Sequence, residues 1–145
     1  MRVFIDADGC PVVDETVRLS LGKGLECTIL CDTAHRIERH GAQTVICPKG
    51  PDSVDFTLVN LLRAGDLVVT QDYGLAAMCM SRGARALDQN GMEYTPDNID
   101  SLLLSRHTGQ KLRRMGKRTK GPKKRTQEQD DMFSEKLQQM LEGEG

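Results

Sequence analysis

The chain has 145 residues, enough for one domain that buries roughly 68–70% of the surface its unfolded form exposes, and with 38% hydrophobic but only 3% aromatic residues its core must rest on Val, Ile, Leu, Met and Ala. No apolar run approaches the ~20 residues that cross a bilayer, and Val3-Phe4-Ile5 meets Asp6 too early for a secretory signal, so a cytoplasmic protein with no membrane contact is expected. The net charge of −1 conceals a segregation: residues 1–105 carry nine Lys/Arg against fifteen Asp/Glu, residues 106–125 carry ten Lys/Arg and no acid, and the last twenty carry one Lys and six acids. A block of that kind suits a polyanionic partner better than the near-neutral total suggests.

In chain order, Val3-Phe4-Ile5 reads as a short buried strand ending at Asp6. Pro11 suits the first turn of a helix carrying Val12, Val13, Val17 and Leu21 and stopping near Gly22 and Gly24. Leu25 to Cys31 and Thr44 to Cys47 read as the next two strands. Gly50-Pro51 opens a helix through Arg63, with Val54, Leu58, Leu61 and Leu62 on its buried side and Gly65 at its end. Asp66 to Thr70 is a fourth strand, followed by a helix from about Leu75 to Arg82 that closes at Gly83. Asn90-Gly91 signals a hairpin between Ala84–Asp88 and Met92–Tyr94, and Pro96 starts a helix with Ile99, Leu102 and Leu103.

Strands separated by helices, several without alternation, imply an α/β fold with a mainly parallel sheet and helices on both faces. This domain is expected over residues 1–106. Residues 107–126 read as a basic linker or tail. Residues 127–145 form a C-terminal amphipathic helix, announced by the capping-box pair Thr126 and Gln129. Its stripe of Phe133, Leu137, Met140 and Leu141 has to dock on the domain or on a partner, a second copy of the chain among the candidates. The five cysteines, Cys10, Cys27, Cys31, Cys47 and Cys79, form no C-x-x-C pair and read as reduced core thiols, not as zinc ligands.

The acids carry the chemistry. In open parallel sheets ligands bind beyond the carboxyl ends of the strands, where Asp6 and Asp72 both fall. Asp52 and Asp55 share one side of the first turn after Gly50-Pro51, and Asp8 lies two residues beyond Asp6. Crowded carboxylates repel, and a hard cation relieves them. Asp6, Asp52 and Asp72 are therefore the expected ligands of Mg²⁺ or Mn²⁺, with Asp8 and Asp55 placed to accept a proton from water. Against this stand ordinary roles: Asp72 as a helix cap, Asp52 as an acid favoured at the positive helix end, and Asp8-Gly9 as a turn.

Three segments resemble motifs of the YaiI/YqxD family: Ile5-Asp6-Ala7-Asp8-Gly9-Cys10-Pro11, Lys49-Gly50-Pro51-Asp52-Ser53-Val54-Asp55-Phe56 and Val69-Thr70-Gln71-Asp72-Tyr73-Gly74-Leu75-Ala76. The tail from Leu112-Arg113-Arg114 to Gly121-Pro122-Lys123 is similar too. Members of that family resemble PIN and NYN domains, metal-dependent ribonucleases with acids clustered over a parallel sheet. The resemblance implies a PIN-like fold and assigns the acids to Asp6, to Asp52 with Asp55 nearby, and to the Thr70-Gln71-Asp72 segment. Asp88 is the candidate for a fourth acid, although its surroundings look like a hairpin.

A nucleic-acid partner is expected from the basic block, in which Lys111, Arg113, Arg114, Lys117, Arg118, Lys120, Lys123, Lys124 and Arg125 are candidate phosphate contacts. The block does not separate RNA from DNA, and RNA is favoured because the resemblance implies it. So few aromatics do not point to base stacking. Asp32 and His35 follow the second strand and border the same crevice. His35 is a candidate for positioning phosphate, and capping by Asp32 is the plainer role. The leading expectation is a metal-dependent nuclease. One rival is a haloacid-dehalogenase-type phosphatase, whose opening motif Asp6-Ala7-Asp8-Gly9 mimics, and another is a non-catalytic RNA-binding module.

Overall fold

The computed structural model describes residues 1–48, 53–114 and 124–142, with 106–114 described as helix backbone. Its centre is β1 (Val3–Asp6), in which side chains alternate between two buried faces. Val3, Ile5 and the following Ala7 enter one core and Phe4 the other. A strand flanked by apolar layers on both sides belongs in the middle of a sheet, and β1 lies between β2 (Cys27–Asp32) and β4 (Leu67–Val69), parallel to both.

Among the described residues the sheet has six strands in the order β3-β2-β1-β4-β5-β6, with β3 at Gln43–Cys47, β5 at Arg85–Leu87 and β6 at Glu93–Tyr94. Four pairings are parallel, and only β6 runs antiparallel, through the hairpin that Asn90-Gly91 signalled. The chain builds outward from β1 in one direction, then returns to β4 and builds outward in the other. The topological switch point therefore falls between β1 and β4, where the loops leaving the two carboxyl ends diverge and open a crevice.

Helices α1 (Val13–Gly22) and α5 (Gln127–Leu141) cover one face; α2 (Ser53–Leu61), α3 (Tyr73–Ser81) and α4 (Pro96–Arg114) cover the other. The layout is α/β with helices on both faces and is consistent with a PIN-like arrangement. The stripe read on α5 docks on this domain: Phe133, Leu137 and Met140 are fully buried among β-strand residues and the valines of α1. Burial on that scale contributes about 1.5–3 kcal/mol per large side chain, and the capping box of Thr126 and Gln129 fixes where the helix starts.

The turn between β5 and β6 is tied to α5. Gly91 has φ +88°, and a Cβ there would come within 2.8 Å of the Met132 carbonyl oxygen, so the position needs glycine for both conformation and space. Arg125 completes the junction. Its guanidinium donates to Asn90 Oδ1 at 2.7 Å, to the Gln89 carbonyl and to Asp130 Oδ1 at 2.6 Å.

Some boundaries differ from the sequence expectation. Helix α2 ends at Leu61, which is exposed like Leu21, while Leu58 and Leu62 carry the burial. Its expected opening at Gly50-Pro51 lies outside the described residues. Helix α3 starts at Tyr73, two residues before the apolar periodicity, because Asp72 caps it. Helix α4 continues to Arg114, past the boundary expected at residue 106. Gln110, Lys111, Leu112, Arg113 and Arg114 are good helix formers, and a positive charge density does not by itself stop a helix.

Candidate functional site

The register Ile5↔Val69 puts Asp6 and Thr70 side by side, one step past the last β1–β4 pair, at the switch point. Thr70 Oγ1 donates to Asp6 Oδ2 at 2.8 Å and accepts the backbone N–H of Asp72 at 3.0 Å. Asp72 in turn caps α3, its Oδ1 accepting the Leu75 N–H at 3.1 Å. One hydroxyl thus links the two carboxylate-bearing segments. Thr70 is itself held from behind, its N–H donating to the Leu87 carbonyl at 3.0 Å and its carbonyl accepting the Tyr94 hydroxyl at 3.0 Å. Tyr94 packs edge-on against Tyr73 with ring centroids 6.0 Å apart.

The electrostatics are those of acids forced together. Burial pushes the Asp6 carboxyl above the usual range, the Thr70 hydrogen bond pulls it back, and the charges of Asp72 and Asp8 push it up again. Asp8 sits in the turn after β1, where Gly9 has φ +67°. Gln71 Nε2 donates to the Gly9 carbonyl at 2.8 Å and so fastens that turn to the Thr70–Asp72 segment. Asp55, in the first turn of α2, lines a groove together with Asp72. Asp55 and Asp6 both act on Cys79, buried on α3, whose thiol burial drives up to about 12. Asp6 shares strand parity with Phe4 and therefore emerges toward the face that α2 and α3 cover.

Asp52 lies outside the described residues, so the donors in view are Asp6 and Asp72, with Asp8 and Asp55 close by. Among the described residues, no group of three His, Cys, Asp or Glu is arranged to hold a metal by itself. Two carboxylates suit Mg²⁺, which is commonly held by one or two carboxylates with waters and substrate phosphates completing the shell. Cys10 is the nearest soft donor in sequence. Its thiol is pushed up to about 11 by burial, with Asp6 adding to the shift, and a neutral thiol is a poor ligand. The residues present fit a hard, oxygen-seeking cation.

The remaining candidates are placed as follows. Asp32 accepts the N–H groups of Ala34 and His35 at 2.9 and 2.8 Å, and His35 Nδ1 lies 3.0 Å from the same oxygen, so this pair closes the turn after β2 with the imidazole exposed. Asp88 Oδ1 accepts the N–H groups of Asn90 and Met92, both at 2.8 Å, and is engaged in the β5–β6 turn. Burial raises the Asp88 carboxyl, partly offset by those N–H bonds and by the charge of Arg125.

Within the basic block, Lys111, Arg113 and Arg114 stand on the last turns of α4, and Lys124 is exposed just before α5. Lys117, Arg118, Lys120 and Lys123 lie outside the described residues. The guanidinium of Arg125 is engaged with Gln89, Asn90 and Asp130, which is a structural role. Sequence reasoning passed over Gln71 and Tyr94, because a latch to a carbonyl leaves no trace in spacing.

Known proteins support the family and go no further. A family model described as "Uncharacterized BCR, YaiI/YqxD family" matches residues 4–143. The chain is 54% identical to a UPF0178 protein of Exiguobacterium sibiricum, an alignment covering 97% of this chain and 96% of that one. It is 43% identical to a UPF0178 protein of Clostridium acetobutylicum over 97% of each, and 37% identical to one of Natranaerobius thermophilus over 97% and 96%. No solved structure matches the chain. Matched along nearly its whole length by the family model, the chain belongs to the YaiI/YqxD family.

Proposed function

We propose that the protein is a divalent-metal-dependent nuclease of PIN-like type, hydrolysing phosphodiesters of nucleic acid, RNA in the first instance. One observation carries this: Asp6 at the end of β1 and Asp72 at the start of α3, both at the β1/β4 switch point, are joined through a single threonine hydroxyl while their charges repel. A fold that held these acids only for stability would gain nothing from that repulsion.

Asp6 and Asp72, with Asp52, are the proposed ligands. Bound Mg²⁺ or Mn²⁺ would supply a more acidic water and neutralise charge on the phosphoryl and leaving oxygens. Thr70 fixes the Asp6 carboxylate through Oδ2 and sets the Asp72 backbone at the same time. Asp8 and Asp55 are the acids at hand to take the proton of the attacking water. The Lys and Arg residues from 111 to 124 hold the sugar-phosphate backbone. Next to this stretch, Arg125 ties the start of α5 to the Gln89–Asn90 turn, which follows the carboxyl end of β5, the end of the sheet at which Asp6 stands.

The phosphatase alternative needs, besides a metal, a basic side chain beside Asp6 to hold the phosphoryl group of a phosphorylated aspartate. Among the described residues, the groups acting on Asp6 are Thr70, Asp72 and Asp8, with no Lys or Arg. The non-catalytic alternative predicts binding without cleavage. The test is hydrolysis of single-stranded RNA by the purified protein with Mn²⁺ or Mg²⁺. Cleavage is expected from the wild type and absent from Asp6→Asn, and equal activity of the two would remove the acids from the chemistry.

A further inference from the structure

Phe56 is one of only five aromatic residues in the chain, yet 69% of its surface is exposed. It sits on α2 directly after Asp55, about half a helical turn away from the buried side that Leu58 marks. With Val59 and Asn60 of α2 and Leu75 and Met78 of α3 it lines a groove of about 490 Å³, within the range of ligand pockets. Met78 is 41% exposed on the opposite wall. Asp55 and Asp72 border the same groove, so it is continuous with the acidic site.

We propose that this groove is a nucleobase subsite for single-stranded nucleic acid, in which Phe56 stacks on a base next to the phosphate handled by Asp6 and Asp72. The proposal rests on the nuclease reading and adds to it the preference for an unpaired strand. The chemistry of the walls selects the occupant. A nucleotide joins a flat apolar ring to an anion, and here apolar walls join a site whose acids would hold a cation for that anion. Asn60 supplies the one neutral amide on the lining, able both to donate to and to accept from a base edge. A protein partner would have to bring cations of its own to pair Asp55 and Asp72, since covering carboxylates with apolar surface is costly. A base in a duplex is already stacked and cannot present its face to Phe56.

The experiment is fluorescence anisotropy of the full chain with a labelled single-stranded oligoribonucleotide, Ca²⁺ replacing Mn²⁺ to suppress cleavage. Phe56→Ala is expected to weaken affinity by about tenfold, Phe56→Trp to retain it, and a duplex of the same sequence to bind wild type and Phe56→Ala alike. Being on the surface, the substitution should leave the melting temperature unchanged, which separates lost stacking from lost folding. Equal affinity of Phe56→Ala and wild type for the single strand overturns the subsite, and it falls alone if both proteins still cleave RNA with Mn²⁺. Wild type that binds no oligonucleotide and cleaves none overturns the subsite together with the nuclease reading. A Phe56→Ala variant that alters self-association and not oligonucleotide affinity assigns the groove to a second copy of the chain and overturns the subsite.

Discussion

Thr70 donates its hydroxyl to Asp6 across the point where the sheet changes direction, 2.8 Å from oxygen to oxygen. The two residues are far apart in the chain, and the parallel register of β1 and β4 makes them neighbours. Because the same hydroxyl accepts the Asp72 amide, it is the common support of both acids.

Thr70→Val keeps the shape and removes the hydroxyl. It strands the Asp72 N–H and leaves Asp6 without its donor, and should cost about 1–3 kcal/mol in stability. Activity should fall about 10- to 100-fold, as is usual when the group orienting a metal ligand is lost. Thr70→Ser should retain most of both. Denaturant unfolding and RNA cleavage measured on the three proteins check this, and Val matching Thr in cleavage would contradict it.

Asp6→Asn removes a half-buried charge that Asp72 and Asp8 repel. Without divalent cations the variant should melt no lower than the wild type. Adding Mn²⁺ should stabilise the wild type only, by about 2.7 kcal/mol at a hundredfold excess over the dissociation constant. Thermal melts with and without the cation show whether the gain depends on Asp6.

Arg125 and the lysines near it should separate. Arg125→Ala breaks the clamp between α5 and the β5–β6 turn and should lower stability by about 2–3 kcal/mol, since hydrogen bonds to charged groups are the stronger ones. Replacing Lys117, Arg118 and Lys120 with Gln should leave melting unchanged. It should also flatten the dependence of log affinity on log salt by about 2 for single strands. Melting curves and salt titrations on the two variants distinguish clamp from phosphate contact.

Asp66 should contribute to the acid limb of stability, alongside Asp32 and Glu93, whose carboxyls are also held low. The carboxylate is buried and accepts from Arg2 Nη2 at 2.7 Å and from the backbone N–H groups of Arg2 and Arg63 at 3.0 and 2.9 Å. Desolvation pulls its pKa upward, but these bonds and the Arg2 charge outweigh it and hold the group below the usual carboxylate range. A lowered folded pKa means that its contribution is complete above the unfolded value of about 3.8 and is lost as pH falls through the folded value. Asp66→Asn should therefore cost about 2–3 kcal/mol at neutral pH and show a shallower loss of stability toward acid, measured by urea unfolding across that range.

The fold was legible where burial leaves a pattern. Val3-Phe4-Ile5 and Leu67-Val68-Val69 are apolar on both faces and could only be inner strands, and Asn90-Gly91 identified the antiparallel edge. The acids at the strand ends were legible because a carboxylate after a buried strand needs a reason. What escaped notice depends on contacts between distant segments. The Gln71 latch to Gly9, the Tyr94 bond to the Thr70 carbonyl and the Arg125 clamp leave no periodicity. Arg125 looked like its basic neighbours, and only the docking of α5 against the β5–β6 turn separates it from them. Phe56 had a trace, lying off the Leu58 side of α2, but a composition so poor in aromatics turned attention from stacking.

The most direct measurement is anomalous diffraction from crystals grown with Mn²⁺. A peak is expected at the β1/β4 edge with carboxylate oxygens of Asp6 and Asp72 about 2.0–2.2 Å away, as for a small octahedral cation, and it should vanish in Asp6→Asn. Crystals in which manganese leaves that edge empty would contradict the account.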